Sequence, residues 1–544
     1  MHWRHGSGRV WNEPMSSEGT APNKWLVTVS VSFGTLMGSI DASIINVALP
    51  QLRSAVGATM QEITWASTGF MVATVMVMPL TGFISRIFGL KRAYLSCLAL
   101  FILSSFLCGL AWSLPSLVFF RALQGLSSGA LTPIEQSILR QTFPPEEQGM
   151  AMAIFTMVIV AGPAIGPTLG GYIVDNLHWS WIFFINLPVG LLGLVMVWRF
   201  VEEPEDVRAE NRAAAELQRR NMDWAGIALL CMGLASLQYL LEEGQSHDWL
   251  DSPEITGCAL VAGLCLSAFV LRELTARVPA VDLRLFKNPV FTSGALLGAV
   301  MFFILTSGLF LLSLFMQELL GFTATRTGLA LMPRTLLMIV AMPIVGRLYG
   351  RVPTRLLIAS GLILTGLGVY QMGSLSLDTG ADDIVVAIAM QGLGTSLLFV
   401  PLNTVIFENM PRARMADAAG LNALMRQVGS SLGLAFFANL LSRYTAEARE
   451  GLLAWMVPER PEVLERLTQL QGGLMAQGLD AVSAHEAGLR LLAGTLLRQS
   501  MVMAFGRLFL LSALLFLVVL PLLLVLRASP GGVPREKAHV DVEV

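Results

Sequence analysis

The chain has 544 residues, of which 54% are hydrophobic and 14% are charged, and its mean hydropathy is +0.65. Because soluble domains carry about 25% charged residues, this composition excludes a soluble globular protein and predicts an integral membrane protein. The net charge of −2 gives no sign of a nucleic-acid partner. The five cysteines lie inside apolar runs without CxxC spacing, so neither a disulfide framework nor a metal site is predicted. A GxxxxGK[ST] phosphate loop is also missing, so ATP hydrolysis by this chain is not expected.

Apolar runs long enough to cross a bilayer, which takes about 20 residues, predict an all-α membrane protein with 14 transmembrane helices. The predicted spans are 26–49, 64–84, 93–111, 115–139, 150–174, 182–201, 223–241, 254–272, 290–317, 326–346, 354–374, 383–407, 416–440 and 504–527. An even number of spans places both termini on one side of the membrane.

Lys and Arg collect on the loops of that same side. Arg86, Lys91 and Arg92 follow span 2, and Arg208 and Arg212 follow span 6. The positive-inside rule therefore predicts cytoplasmic termini. The long 441–503 loop then faces the periplasm or the exterior.

Two stretches repeat in order. Ala122–Pro133 (ALQGLSSGALTP) in span 4 resembles Ala389–Pro401 (AMQGLGTSLLFVP) in span 12, and the Gly82–Arg92 loop resembles Gly346–Arg355. Chance similarity between Gly-rich helices is the alternative. The repeat predicts two six-helix halves, with a substrate site between them near the membrane midplane. The predicted parts are a tail at 1–25, the first half at 26–201, a cytoplasmic linker at 202–222, two inserted helices with a loop at 223–289, the second half at 290–527 and a tail at 528–544.

Asp41 in span 1 and Arg121 in span 4 are ionisable residues inside spans, where charges are costly and by default functional. The two lie at similar predicted depth and are expected to pair. A carboxylate in a low-dielectric setting takes up a proton more readily than one in water. Protonation of Asp41 would then release Arg121. Structural ion pairing without transport chemistry is the alternative for both residues.

Glu135 is a third candidate for proton coupling. It follows Arg121 by 14 residues, about 21 Å along a helix, and the helical period returns it close to the same face. Both residues are therefore expected to line one cavity. Glu135 is interpreted as a second proton site or an attractor for cationic substrates, with an acid at headgroup level as the alternative.

Span 5 contains the stretch AGPAIGPTLGG, Ala161–Gly171. Its glycines recur every fourth residue and predict a flat stripe that lets a second helix approach closely, while its prolines bend the helix. A tightly packed, kinked pair without moving parts is the alternative. The residues concerned are Gly162, Pro163, Gly166, Pro167, Gly170 and Gly171.

The pattern G-P-x-x-G-P-x-x-G-G in a fifth span resembles the antiporter motif of the major facilitator superfamily. His178–Gly190 (HWSWIFFINLPVG) resembles the equivalent segment of its 14-span drug:proton antiporters, the EmrB/QacA group, and the EmrB-like exporters most of all. The resemblance extends to IDASIINVALP around Asp41 and LVFFRALQGLSSG around Arg121. It implies the major facilitator fold, a bacterial inner-membrane location and proton-gradient-driven transport without a cofactor.

The loop after span 2 departs from the superfamily pattern G-x-L-a-D-r-x-G-r-K. Gly82, Gly89 and Lys91 match, but Arg86 stands at the acidic position. The usual cytoplasmic charge lock is therefore not expected in its standard form. EmrB-like members tend to carry a basic residue there as well.

The 441–503 loop has helical composition over 461–497, with Leu464, Leu467, Leu470 and Leu474 on one side. An amphipathic hairpin on the protein's own outer surface is the favoured interpretation. The resemblance implies the alternative, a docking site for a periplasmic membrane-fusion adaptor that leads to an outer-membrane channel.

The expected function is export of hydrophobic or amphipathic compounds, with small lipophilic substrates and membrane lipids as contacts. A dedicated exporter of one metabolite class, such as a fatty acid, siderophore or antibiotic, is the alternative. A non-transporting receptor would need a signalling domain, for which the predicted tails are too short. No motif of a membrane enzyme is present, so enzymatic activity is not expected.

Overall fold

The computed structural model describes residues 23–202, 215, 216, 218, 222–276, 278–408, 410–457, 459–521 and 523. The predicted tails at 1–25 and 528–544 and the linker at 202–222 lie largely or wholly outside these residues. Regular structure in the described part is helical, since a bilayer offers the backbone no water and a helix bonds its own polar groups.

Fourteen helical segments correspond to the predicted spans. They are α1 Lys24–Val56, α2 Met60–Phe88, α3 Leu90–Gly109, α4 Leu114–Thr142, α5 Gln148–Asn176, α6 Trp181–Phe200, α7 Trp224–Glu243, α8 Pro253–Thr275, α9 Pro289–Leu314, α10 Ala324–Leu348, α11 Thr354–Met372, α12 Ala381–Val405, α13 Met415–Leu453 and α14 Ala481–Val519. Between the last two lies a further helix, Pro461–Ala476, here named the loop helix. α2 is interrupted at Thr64 and by a 3₁₀ turn at Met78–Leu80.

Twelve of these segments are long and apolar enough to cross a membrane. The two others, α4 and α13, have 29 and 39 residues but carry more polar side chains. Those polar side chains, Arg121 and Glu135 among them, are buried against neighbouring helices. The fold agrees with the predicted all-α membrane class, and the segments are consistent with a count of fourteen.

The repeat seen in the sequence is also present in the packing. α1 packs on α5 as α9 packs on α13, and α2 packs on α4 as α10 packs on α12. Gly125 of α4 lies against the Phe70 carbonyl of α2, and its repeat equivalent Gly392 of α12 lies against the Arg334 backbone of α10. The absence of a side chain at these glycines permits the same close crossing in both halves.

The two halves meet through α5 with α10 and through α2 with α13. α7 covers the second of these contacts: Tyr239 stacks on Trp65 of α2, and Gln238 donates to Ser431 Oγ of α13 at 2.9 Å. α8 packs on the outside of α7. α7 therefore lines one side of the seam between the halves, and α8 lies outside it.

Much of the predicted 441–503 loop is helical. α13 continues to Leu453 and α14 begins at Ala481, both within this stretch. Hydropathy falls where a helix leaves the bilayer, but this sequence is rich in Ala, Leu, Glu and Arg, which are good helix formers in water too. The loop helix packs on α14, as the hairpin interpretation expects.

Candidate functional site

Asp41 and Arg121 form an ion pair between α1 and α4, and both side chains are completely excluded from solvent. The Asp41 Oδ1 atom also accepts hydrogen bonds from Gln124 Nε2 at 3.0 Å and Asn186 Nδ2 at 3.1 Å. Arg121 Nε donates to the Ala66 carbonyl of α2 at 3.1 Å. The expected pairing of Asp41 with Arg121 is therefore present, and it joins four helices of the first half.

Aromatic rings enclose the Arg121 guanidinium. Its Cζ lies 4.3 Å from the centre of the Phe70 ring and 5.9 Å from that of Phe183. A buried ion pair holds together only while both charges and their hydrogen bonds are satisfied. Arg121 Nη2 is already without a partner among the described residues. A proton on Asp41 would remove the counter-charge and leave the guanidinium with only the neutral acceptors of Ala66 and Gln124.

Glu135 is fully buried between α4 and α1, where its Oε1 accepts from Ser32 Oγ at 3.2 Å. Its Oε2 has no hydrogen-bond partner in the described part of the chain. Glu135 therefore faces neighbouring helices of the first half and not the surface of the protein. Tyr94 of α3 lies nearby and donates to the Val31 carbonyl.

A cavity of about 670 Å³ lies between the halves. The first half supplies hydroxyls from α1, α4 and α5, and the second supplies aromatic and aliphatic side chains together with Arg334 and Arg426. Arg121 and Glu135, which were expected to line one cavity, are not among the described lining residues of this one, and neither is Asp41. The reason is that the α4 face carrying them packs against α1 to α3 rather than against the gap.

The glycine stripe of α5 packs against α1, the helix that carries Asp41. A Cβ at Gly162 would overlap Ser39, one at Gly166 would overlap Ser43, and one at Gly170 would overlap Ile44. Close approach along this stripe, as predicted, is therefore what the structure shows.

The remaining members of the motif face elsewhere. Pro163 lines the cavity, and a Cβ at Gly171 would lie 3.7 Å from Thr325 Oγ1 of α10, in the other half. Pro167 lies within α5, but its side chain is outside the described part of the structure. One helix thus contacts α1 with one face and the second half with another.

The loop motif after α2 forms a charge contact between the halves. Arg86 pairs with Asp417 of α13, and Gly82 leaves room for that carboxylate because a Cβ there would overlap it. Gly89 adopts a φ of +80° at the turn into α3, and Lys91 donates to the Trp198 carbonyl at 2.8 Å. A charge lock therefore forms despite the basic residue at position 86, because α13 supplies the acid.

Arg86 also binds the backbone and the linker. Its Nε donates to Gln218 Oε1 at 2.8 Å and its Nη2 to the Ala280 carbonyl at 3.2 Å. At the same end of the molecule, Arg140 of α4 donates to the Asn403 carbonyl at 3.0 Å and to the Thr404 carbonyl. These contacts join the halves at the end where α2 and α4 finish, here named the Arg86 end.

The cavity extends away from the Arg86 end. Its lining runs from Met78 and Ala423, two to three turns inside that end, to Gln317 and Thr327 at the opposite ends of α9 and α10. The cross-half contacts of Arg86 lie beyond this inner limit, and Arg140 binds the carbonyl of Asn403, which itself lines the cavity.

Sequence reasoning did not assign several residues of this site. Gln124 and Asn186 stand inside the quoted motifs but received no role. Arg334 is an arginine within span 10, and the cost of a charge there was a signal that could have found it. Within the described residues, no group of three or more His, Cys, Asp or Glu side chains could hold a metal ion.

Comparison with known proteins agrees with this architecture. Residues 31–434 match the Major Facilitator Superfamily. The chain is 37% identical over 410 residues to the multidrug export protein EmrB of Haemophilus influenzae, covering 75% of this chain and 78% of that one. It is 31% identical over 496 residues to the fatty acid resistance protein FarB of Neisseria gonorrhoeae, covering 91% and 94%.

Among solved structures, the proton:xylose symporter XylE superposes with a TM-score of 0.58 at 13% identity, over 92% of this chain and 96% of that one. At this low identity, the similarity supports the fold alone.

The family match and the relatives confirm the family expectation drawn from the span 5 and span 6 motifs. The chain belongs to the Major Facilitator Superfamily, in the group of drug exporters that contains the EmrB proteins.

Proposed function

We propose that this protein is a proton-coupled efflux transporter that exports hydrophobic or amphipathic compounds by alternating access. Its relatives are named for multidrug export and for fatty acid resistance. The cavity between the halves is mostly apolar and large enough for a drug-sized molecule. The proposal assigns transport to the chain, with no enzymatic step and no cofactor.

The observation that carries the proposal is the buried ion pair of Asp41 and Arg121. A carboxylate that takes part in proton exchange must have a partner that distinguishes its two protonation states. Arg121 is such a partner, because a neutral Asp41 no longer balances its charge. Gln124 and Asn186 hold Asp41 Oδ1 in place, so the carboxylate is already positioned for proton exchange.

α1 links this pair to the cavity. Ser39 and Ser43, two residues to either side of Asp41, line the cavity and lie against the glycine stripe of α5. A shift of α1 that follows loss of the ion pair would therefore reach both the substrate and the α1–α5 contact. Glu135 also contacts α1, through Ser32, and serves as a second proton site in this scheme.

The positive-inside pattern puts the Arg86 end and both termini in the cytoplasm of a bacterium, with the chain in the inner membrane. The cross-half contacts at that end then close the cytoplasmic side, and the cavity faces outward. Release of Arg86 and Arg140 from their partners is the step that opens the inner side. Rocking of the halves about α5 with α10 and α2 with α13 completes the cycle.

A dedicated exporter of fatty acids is the second candidate, favoured by the likeness to FarB over 91% of the chain.

An adaptor partner is a further part of this proposal. α13 and α14 are 39 residues each, about 58 Å at 1.5 Å per residue, so both extend beyond a bilayer. Together with the loop helix they form the projection on which a membrane-fusion adaptor would dock.

The test is proton-driven efflux in proteoliposomes with an imposed pH gradient and a panel of lipophilic compounds. Asp41→Asn is expected to abolish gradient-driven efflux while the protein remains folded. Asp378→Asn, at an exposed loop acid, is the matched control and is expected to transport normally. Gradient-driven efflux retained by Asp41→Asn would remove Asp41 from coupling. A response to one compound class only would favour the dedicated exporter.

A further inference from the structure

Two arginines, Arg334 of α10 and Arg426 of α13, line the central cavity. They are 7% and 8% exposed. The described residues that line this cavity include no Asp or Glu. Buried cations are normally paired with acids, so the cavity wall carries positive charge that the protein does not neutralise there.

Arg334 is the less satisfied of the two. Its Nε is buried without a hydrogen-bond partner among the described residues. A guanidinium carries five N–H donors in a planar fork that matches a carboxylate or phosphate. A buried donor without an acceptor calls for an explanation, and a binding site for a ligand that supplies the acceptor provides one.

Arg426 is held in a fixed position. Its Nη1 donates to Asn403 Oδ1 at 2.8 Å, and its Cζ lies 5.0 Å from the centre of the Phe302 ring. Neither partner is charged, so no negative charge offsets that of the guanidinium. One arginine is thus preorganised and the other has an unsatisfied donor.

The repeat shows that these charges are not a by-product of symmetry. The glycines at matching helix crossings align the sequences of the two halves. In this alignment Phe70 is the first-half equivalent of Arg334, and Ile159 is the equivalent of Arg426. Both equivalents are uncharged. The first half carries its charges at Asp41 and Arg121, away from the cavity, whereas the second half presents its charges to the cavity.

We propose that Arg334 and Arg426 form the headgroup site for an anionic amphiphile, such as a long-chain carboxylate, in the central cavity. This inference rests on the proposed transport function and names its substrate class. The tail lies against the aromatic and aliphatic wall, which includes Phe302, Phe399 and Leu331. An attractor for cationic substrates, as considered for Glu135, is absent from the described cavity wall.

The energetics of exchange follow from the sign of the substrate. Export of a monovalent cation for one proton moves no net charge. Export of a monovalent anion for one proton moves two positive charges inward. Transport of an anion is therefore driven by the membrane potential as well as by the pH gradient.

The test is binding to the full-length protein in lipid nanodiscs. The probes are dansyl-labelled undecanoic acid, its neutral amide and a trimethylammonium analogue of equal length, followed by fluorescence. The acid is expected to bind about tenfold or more tightly than the amide, since a charge-assisted hydrogen bond is worth that factor. Arg334→Gln is expected to remove this preference and to leave amide binding unchanged.

Two variants control for folding and for charge outside the site. Arg334→Lys keeps the charge and is expected to retain most of the preference for the acid. Arg326→Gln, at an exposed arginine of the same helix, is expected to bind like the unaltered protein. Retention of the full preference for the acid by Arg334→Gln would overturn the assignment.

The outcome also separates this inference from the transport proposal. Asp41→Asn is expected to bind the acid normally, because the binding assay requires no proton movement. Gradient-driven efflux of cations by a protein that binds acid and amide equally would overturn the anion site and leave transport intact. Anion-selective binding without gradient-driven efflux of any compound would overturn the transport proposal and leave the anion site intact.

Discussion

Arg86 of α2 and Asp417 of α13 form an ion pair across the two halves, and the Asp417 side chain is 3% exposed. The basic partner, Arg86, lies in the loop motif at the end of α2, and the acidic partner, Asp417, comes from the other half. Removal of one partner of a buried pair leaves an uncompensated charge, which costs about 3–5 kcal/mol.

Arg86→Gln is therefore expected to lower the melting temperature and to open the Arg86 end. Opening can be followed by maleimide labelling of Val400→Cys, a position that is buried with Ala153 and Met342 between the halves. Labelling is expected to be faster in Arg86→Gln, with the native cysteines measured as background.

The double variant Arg86→Gln with Asp417→Asn is the control. It leaves no unpaired charge, so its melting temperature is expected to exceed that of either single variant. Equal labelling rates with and without Arg86 would show that this pair does not hold the end closed.

The α1–α5 contact gives a second prediction. Gly162→Ala places a Cβ onto Ser39, and overpacking of this kind costs about 1–3 kcal/mol. We expect lower thermal stability and reduced efflux. Gly171→Ala is the matched control from the same motif, because its Cβ meets only an ordinary contact at 3.7 Å. Ser39→Gly is expected to restore Gly162→Ala only in part, because the added Cβ would still lie 2.7 Å from the Ser39 carbonyl carbon. Unaltered stability of Gly162→Ala would argue against a tight α1–α5 contact.

Much of this fold follows from the sequence alone. Length and hydropathy located the spans, since a bilayer fixes both. The stripe at Gly162, Gly166 and Gly170 indicated a close helix contact, although not that α1 was the partner. The full lengths of α13 and α14 were not predicted, because hydropathy reports where the membrane stops and a helix can continue in water.

The site was predictable in its ion pair and not in its relation to the cavity. The depths of Asp41 and Arg121 in their spans were enough to bring them together. The face of α4 that carries Arg121 and Glu135 was assigned to the cavity from helical period alone, and that period does not say which neighbour covers the face. Arg334 was missed because it lies in no recognised motif.

Glu135→Gln tests the second proton site. The substitution keeps the shape of the side chain and its contact with Ser32 but removes its charge. We expect efflux to lose part of its pH dependence while substrate binding in nanodiscs is unchanged. Glu318→Gln, at an exposed acid beyond α9, is the control. An unaltered pH profile in Glu135→Gln would assign Glu135 a structural role.

Glu408 follows α12 at the Arg86 end, outside the spans. Burial raises the pKa of its carboxyl above the usual 4.5, and the positive charge of Arg140 partly opposes that rise. A folded-state pKa above the unfolded value means that the neutral form is favoured on folding. The stabilising contribution is therefore complete at low pH and is lost as pH rises through the folded-state pKa.

Glu408→Gln keeps the neutral form at every pH. Relative to the unaltered protein, it is expected to melt at a higher temperature above the raised carboxyl pKa, and this difference is expected to shrink as the pH falls from neutral to acidic values. Melting of the detergent-solubilised protein across this range measures the difference. Glu462→Gln, in the exposed loop helix, is the control and is expected to show no such trend. A difference that grows as pH falls would mean that the ion attraction of Arg140 outweighs burial at Glu408.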